Sequence, residues 1–238
     1  MRGYYGILAG LAIAVTVIDA QAEVISQTTV RVATVRQASV TLVPGANNVG
    51  LNETTKQVED YFNGLTTMEA TFKQTVTGEA QPSVGTFYLR RPRQFLWLYT
   101  SPVKQKIVST GSAVYYIDQE RNQVTQLPMN AGVARLFNSK TLNLSQQGLR
   151  ATHVETMASQ LTVDFAVDKK IATSDQAGLV NLRLTFDKLR SGRMALRQID
   201  ALDTLSTTTR VEFGDIRENV PLPANMFEFT PGVYEQKN

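Results

Sequence analysis

A short stretch, residues 87–102, carries the side chains with the clearest binding chemistry in this sequence. It combines aromatic rings, including the only tryptophan, with three arginines: Phe87, Tyr88, Arg90, Arg91, Arg93, Phe95, Trp97 and Tyr99. Aromatic rings bind apolar groups, and guanidinium groups donate hydrogen bonds to carbonyl or carboxylate oxygens. This combination is typical of a surface that holds an apolar partner beside a polar contact.

Two β-strands are expected to position these side chains, because successive residues of a strand point to opposite faces. Phe87 and Arg91 share one face of the first strand. Phe95 and Trp97 share one face of the second, and Pro92 separates the two strands. Arg91 thus lies at the end of the apolar face of the first strand. Since an arginine is rarely buried without a partner, it either lies at a rim or needs a specific acceptor.

The region around this stretch is basic. No acidic residue lies between Glu79 and Asp118. The net charge of the whole chain is only +3, which gives no reason to expect a nucleic acid as partner. An ordinary solvated sheet surface would explain the cations, and so would a face that binds an anionic partner or lipid headgroups. The residues of that candidate face are Arg90, Arg93, Lys104 and Lys106.

The composition excludes several kinds of site. The chain has no cysteine, so it has no disulfide, no thiolate metal site and no lipid-anchored cysteine. The single histidine, His153, excludes a multi-histidine metal site, and its polar neighbours are typical of an exposed or strand-paired residue. No glycine motif of nucleotide-binding proteins or hydrolases occurs. We therefore predict no catalytic residues, no metal and no cofactor.

Residues 1–22 are typical of a secretory signal peptide. Arg2 precedes an apolar run over 7–18, and Ala20 and Ala22 are small residues at the expected cleavage positions. Asp19 ends the run before it reaches the roughly 20 apolar residues of a membrane span. We predict cleavage after Ala22 and export to the periplasm, followed by a flexible extension over residues 23–50.

Residues 51–238 are predicted to form one domain that is mainly β, in the α+β class. Asn52 is expected to cap a short helix, and Met68, Ala70 and Phe72 then alternate on one face of a strand. Residues 130–148 favour one or two short amphipathic helices. The remaining strands lie between regularly spaced turns and are predicted over residues 84–91, 94–100, 104–109, 113–117, 123–127, 161–167, 179–186, 194–201, 207–213 and 226–229.

About eleven strands without a βαβ rhythm indicate one large curled antiparallel sheet, an unclosed half-barrel with a lid of short helices. The helices either fill the concave face as a core or cover a cavity for an apolar ligand. Arg91 favours the lid, because carbonyl groups of a covering helix could accept its hydrogen bonds. The bulky candidates for the concave face serve both alternatives: Met68, Phe72, Phe87, Leu89, Phe95 and Trp97.

Several short motifs support a more specific interpretation. They are Phe-Tyr-Leu-Arg-Arg-Pro-x-x-Phe-x-Trp at 87–97, Phe-x-Gln at 72–74, and the segments 107–111, 114–118, 219–223 and 227–232. In this order, over about residues 51–233, they resemble the periplasmic outer-membrane lipoprotein carrier family, LolA. The resemblance implies a monomeric carrier that accepts acylated lipoproteins from an inner-membrane ABC-type release complex. It would then hand them to an outer-membrane lipoprotein receptor.

The resemblance also implies roles for individual residues. Arg91 matches the family arginine that ties the lid shut, and Phe95 and Trp97 match aromatic residues of the lipid-contacting interior. Arg90 and Arg93, on either side of Arg91, leave open which arginine makes the lid contact. The related receptor is itself a lipoprotein, and a chain without cysteine cannot be anchored in that way. The extension over residues 23–50 departs from the family pattern.

Two other functions compete with the carrier. A periplasmic regulator that senses lipids or lipoproteins with the same fold would ordinarily need a further domain. An envelope hydrolase would need two converging carboxyl groups. The acidic candidates are predicted mostly beside strand ends and turns, where solvated acids are common: Asp164, Asp168, Asp187, Asp200 and Asp203.

Overall fold

The computed structural model describes residues 47–129, 132–174 and 178–231. The predicted signal peptide lies outside the described residues, and so do residues 23–46 of the predicted extension. Residues 47–50 belong to the first helix, α1 (Asn47–Gly64), which packs its buried residues Val58 and Phe62 into the core.

The strands follow α1 in chain order, with one short helix and two 3₁₀ turns between or after them. The strands are β1 (Thr67–Val76), β2 (Ser83–Arg90), β3 (Gln94–Ser101), β4 (Gln105–Thr110), β5 (Val114–Asp118), β6 (Gln123–Leu127), β7 (Leu149–Thr156), β8 (Gln160–Val167), β9 (Leu179–Lys188), β10 (Met194–Asp203) and β11 (Thr208–Glu218). Helix α2 is Lys169–Ser174, and the 3₁₀ turns are Gly132–Leu136 and Ala224–Phe227.

All eleven strands form one sheet in the order β6-β5-β4-β3-β2-β1-β11-β10-β9-β8-β7, and each neighbouring pair is antiparallel. Strands β6 and β7 are the two edges and do not pair with each other, so the sheet is not closed. This confirms the predicted fold class. The chain between the edges includes residues 132–148, called the covering segment below, and it has to cross from one edge to the other.

The core lies on the inner face of the sheet, defined as the face that packs against α1 and the covering segment. Strands β1 and β8 alternate buried and more exposed residues, as expected for strands with one face in the core. A second, smaller cluster lies on the outer face. It consists of Leu96, Val108 and Ile117, covered by Phe227 of the C-terminal 3₁₀ turn.

The structure corrects four details of the prediction. Strand β7 was not predicted, and residues 226–229 are not a strand: the first two belong to the 3₁₀ turn Ala224–Phe227, and the last two have no regular structure. The described part of 130–148 contains a 3₁₀ turn and irregular turns instead of α-helix. Helix α1 begins at Asn47, so Asn52 lies inside the helix instead of capping it.

His153 is an exposed residue of β7 and lies opposite Asp164 of β8, which confirms the prediction of an exposed, strand-paired histidine. Across the part of the chain that the structure describes, no helix combines the length and the apolar composition that a membrane crossing requires.

Candidate functional site

The inner faces of β1, β2 and β3 form a continuous apolar wall. Strand register brings its members together, because Met68 lies opposite Leu89, and Leu89 lies opposite Phe95. Phe87 likewise lies opposite Trp97. The structure therefore gathers the predicted concave residues on one surface, and each is at most 3% exposed: Met68, Phe72, Phe87, Leu89, Phe95 and Trp97.

Trp97 lies at the centre of an aromatic cluster on this wall. Its ring centroid is 4.3 Å from that of Phe87, 5.0 Å from that of Phe72 and 6.0 Å from that of Phe213. Phe213, on β11, was not among the predicted site residues, although its strand was predicted. Its place beside Trp97 depends on the pairing of β1 with β11, which joins parts of the sequence that lie far apart.

The covering segment places Phe137 on the wall. The Phe137 ring is 5.4 Å from Phe87, 6.3 Å from Phe95 and 6.0 Å from Phe62 of α1. Leu136, Leu142 and Leu144 of the same segment are also buried in the core. In this closed arrangement the covering segment lies over the wall, and the wall residues are buried.

Arg91 ties the covering segment to α1. Its guanidinium group donates hydrogen bonds to the carbonyl oxygen of Phe62 and to Asn63 Oδ1, at 3.3 Å for the latter. It also donates to the carbonyl oxygens of Ser139, at 2.9 Å, and Lys140, at 3.4 Å. Burial lowers the pKa of Arg91. Because arginine keeps its proton in proteins, those oxygen acceptors compensate for the partial burial of this cation.

Arg93 makes a second connection to the covering segment. Its Nε donates to the carbonyl oxygen of Asn138 at 3.1 Å, and its backbone nitrogen donates to the carbonyl oxygen of Phe137 at 3.2 Å. The hairpin between β2 and β3 therefore holds the covering segment through two arginines. Arg91 has the larger share, since it alone of the two also contacts α1.

Helix α1 supplies a third connection that the sequence did not predict. Asn63 Oδ1 accepts a hydrogen bond from the backbone nitrogen of Leu142 at 2.7 Å, and Asn63 Nδ2 donates to the Leu142 carbonyl oxygen at 3.1 Å. Glu59 Oε1 accepts from the backbone nitrogen of Leu144 at 2.7 Å. These two side chains bind the backbone of the covering segment and so add to the attachment that Arg91 makes.

Arg135 stabilises the covering segment from within. It is 3% exposed, and its guanidinium group donates to the carbonyl oxygens of Gly132, at 2.8 Å, and Gln147, at 3.1 Å. Because Gly132 and Gln147 lie near the two ends of the segment, Arg135 joins those ends.

Two of the four cations of the predicted basic face hold segments of this chain. Arg90 donates to the carbonyl oxygens of Leu222, at 2.8 Å, and Pro223, at 2.7 Å, and its guanidinium carbon lies 4.9 Å from the centre of the Phe227 ring. Arg90 thus holds the C-terminal segment against the outer face. Arg93 holds the covering segment, while Lys104 is exposed and Lys106 is partly exposed.

Two of the acidic candidates are neutralised by arginines. Asp164 and Asp200 lie on strands β8 and β10 and form ion pairs with Arg183 and Arg210, at 2.5 Å and 2.7 Å. Within the described residues, no three side chains of His, Cys, Asp or Glu are grouped so that they could hold a metal ion.

Comparison with known proteins assigns the family. A family model described as outer membrane lipoprotein carrier protein LolA matches residues 63–230. The chain is 29% identical over 195 residues to an outer-membrane lipoprotein carrier protein of Methylococcus capsulatus, and the aligned region covers 78% of this chain and 90% of that protein. It is also 29% identical over 199 residues to an outer-membrane lipoprotein carrier protein of Neisseria meningitidis, and this aligned region covers 81% of this chain and 89% of that protein.

Among solved structures, a LolA superfamily protein from Nitrosomonas europaea superposes with a TM-score of 0.43 and 9% identity, over 75% of this chain and 97% of that one. The family model matches well over half of the sequence, in the region that contains the apolar wall, the three arginines and the covering segment. The chain therefore belongs to the outer membrane lipoprotein carrier protein LolA family.

Proposed function

We propose that this protein is a periplasmic carrier that binds the acyl chains of lipoproteins released from the inner membrane and delivers them to the outer membrane. One observation carries the proposal. The apolar wall is covered by a segment that polar groups hold in place, chiefly Arg91 through carbonyl oxygens of α1 and of the covering segment. Membership of the carrier family supports it.

The attachment is needed because apolar burial alone would bind acyl chains too tightly. Each buried methylene group contributes about 0.8 kcal/mol, so the chains of one lipoprotein would contribute tens of kcal/mol if all were held. A carrier has to release its cargo. Opening the covering segment costs free energy, and this cost is subtracted from the affinity for lipid.

The cost can be estimated from the contacts. A hydrogen bond that involves a charged group contributes about 1.5 to 3 kcal/mol to stability. Arg91, Arg93 and Glu59 each make at least one such bond to the covering segment. Opening therefore costs several kcal/mol, enough to weaken binding by orders of magnitude. The same bonds reform when cargo leaves, which favours release.

The carrier would exchange cargo with an inner-membrane ABC-type release complex and an outer-membrane lipoprotein receptor. Lys104 and Lys106 are the cations of the predicted basic face without a role in holding the chain's own segments, and they would meet an acidic surface on such a partner.

Replacing Arg91 with leucine tests the attachment. Arg91→Leu removes the hydrogen bonds to Phe62, Ser139 and Lys140 but keeps an apolar stem. We expect the variant to bind a fluorescent diacyl lipopeptide at least about tenfold more tightly than the wild type and to release it more slowly to acceptor vesicles.

The matched control is Arg90→Leu, which removes the neighbouring arginine but leaves the covering segment attached. It should load and release the lipopeptide like the wild type. If Arg91→Leu also loads and releases at wild-type levels, Arg91 does not hold the lid and this mechanism is wrong.

A further inference from the structure

Among the residues that the structure describes, two buried hydrogen-bond donors on the inner face have no acceptor. Trp97 Nε1 and Gln105 Nε2 are buried without a hydrogen-bond partner, and their residues are 0% and 2% exposed. Buried polar groups are nearly always paired, since leaving one unpaired is unfavourable. Neither donor takes part in holding the covering segment. The contacts of the closed structure do not explain why these two donors are buried.

The two donors belong to neighbouring positions of the wall. Trp97 lies opposite Ile107, and Tyr99 lies opposite Gln105. Trp97 and Gln105 are therefore diagonal neighbours on adjacent strands and share the inner face, where such residues are about 7–8 Å apart, within reach of long side chains. A single ligand group could meet both.

This part of the wall is its polar end. Strand β3 runs from Gln94, next to the hairpin that holds the covering segment, toward Tyr99. At about 3.3 Å per residue, Tyr99 lies roughly 13 Å from Phe95 along the strand. Tyr99 donates a buried hydrogen bond to Gln74 Oε1 at 3.0 Å. The hydrogen-bonded pair Tyr99 and Gln74 thus lies at the end of β3 away from the hairpin, next to the unpaired amide of Gln105 on β4.

The charge around this end favours a neutral ligand group. Burial raises the pKa of Tyr99, with a smaller contribution from the nearby Glu79, so its hydroxyl keeps its proton. Glu79 would repel a carboxylate or phosphate. Both unpaired groups are N–H donors, and they require an acceptor. Ester and amide carbonyl oxygens are neutral acceptors, and they occur where acyl chains join their headgroup.

We propose that Trp97 and Gln105 form a subsite for the carbonyl oxygens at the head of an acylated ligand. The inference rests on the proposed carrier function and adds an orientation to it. The ester or amide groups lie near Trp97 and Gln105, and the acyl chains extend along the wall toward Phe95 and the covering segment. In the loaded state, carbonyl oxygens of the ligand accept hydrogen bonds from the two donors, which have no acceptor in the closed state.

A pair of matched lipids tests the subsite. A diacylglycerol diester and a dialkylglycerol diether of equal chain length differ in their carbonyl oxygens, which only the diester has. We expect the wild-type protein to bind the diester about tenfold more tightly when each displaces a fluorescent probe. The readout is the ratio of the two dissociation constants, because a change in apolar packing affects both lipids and cancels.

Two variants assign the effect to the two donors. Trp97→Phe keeps an aromatic ring without the N–H group, and Gln105→Leu keeps a similar volume without the amide. Each should lower the ratio by about threefold, and the double variant should bring it close to one. Tyr88→Phe, which removes a hydroxyl from the outer side of β2, should keep the wild-type ratio. Circular dichroism checks that each variant is folded.

The possible outcomes are distinguishable. Equal affinities of the wild type for diester and diether would overturn the subsite and leave the carrier function standing. A wild-type ratio in both Trp97→Phe and Gln105→Leu would overturn the assignment to these residues. If the wild type binds neither lipid, the carrier function fails, and the subsite fails with it.

Discussion

A charge introduced at Phe95 should impair lipid binding without unfolding the protein. It is fully buried on the inner face, with Phe137 of the covering segment at 6.3 Å. In Phe95→Glu, burying the new carboxylate would cost free energy. If the Phe137 side chain moves away, water can reach the carboxylate, and the sheet can stay folded. We therefore expect lipopeptide transfer to fall at least about tenfold while the sheet stays folded.

Thr100→Glu is the control for this change, because it places the same charge at an exposed position of the same strand. It should transfer lipopeptide at the wild-type rate. Wild-type transfer by Phe95→Glu, together with a native circular dichroism spectrum, would show that Phe95 does not contact the acyl chains.

Asn63 allows the attachment of the covering segment to be measured without any lipid. Asn63→Ala removes both hydrogen bonds between this side chain and Leu142. Because such bonds contribute about 1–3 kcal/mol when they are lost from a partly buried site, local opening should become roughly tenfold more frequent or greater. Amide hydrogen exchange at Leu142 and Leu144, followed by NMR, reports this opening directly.

The control for Asn63→Ala is Lys56→Ala, which removes an exposed ion pair with Asp60 on the same helix. Exchange at Leu142 and Leu144 should then match the wild type. Unchanged exchange in Asn63→Ala would mean that the helix does not hold the covering segment through this residue.

At the scale of residues, the sequence predicted the apolar wall better than the hydrogen bonds that hold the covering segment over it. Period-two alternation places Phe95 and Trp97 on one face without any knowledge of the fold, because it follows from strand geometry alone. Asn63 and Glu59 lack such a signal. Their partners Leu142 and Leu144 lie 79 and 85 residues away, and a polar residue on a helix surface gives no indication of a distant backbone acceptor or donor.

Strand β2 leaves no room for a side chain at Gly85, beside β3. A Cβ atom there would lie 2.0 Å from the carbonyl oxygen of Leu98 and 2.9 Å from the Phe72 ring. Neither the backbone nor the buried ring can move far, so Gly85→Ala should lower the free energy of unfolding by about 3 kcal/mol or more. Denaturant unfolding monitored by circular dichroism measures this loss.

Gly50→Ala makes the opposite change within a helix. No atom lies within 4 Å of a Cβ at this exposed position of α1, so alanine should raise the free energy of unfolding by about 0.5–1 kcal/mol. Equal stability of Gly85→Ala and the wild type would contradict the close approach of the two strands.

Elements were predictable where their residues alternate between core and solvent. Strand β8 alternates without interruption and was predicted, whereas β7 is an edge strand with mostly exposed residues and carries no such pattern. Residues 226–229 have the composition of a strand, but Phe227 is buried against the outer face through contacts with β3 and β4. Tertiary contacts there outweigh local preference.

For the whole molecule, the arrangement of the strands explains the position of the covering segment. Because β6 and β7 are the opposite edges of the open sheet, residues 132–148, which lie between them in the sequence, pack on the inner face. The sequence predicted an open sheet with a cover but not this strand order, since the pairing of β1 with β11 joins strands that lie at opposite ends of the domain sequence.

If the interior of this protein carries acylated lipoproteins in the cell, mass spectrometry of the protein purified from the periplasm should detect them. We predict that acylated lipoprotein peptides copurify with the wild type, and that Arg91→Leu carries more of them than Arg90→Leu because its cover opens more easily. Absence of acylated peptides from both the wild type and Arg91→Leu would contradict the proposed carrier function.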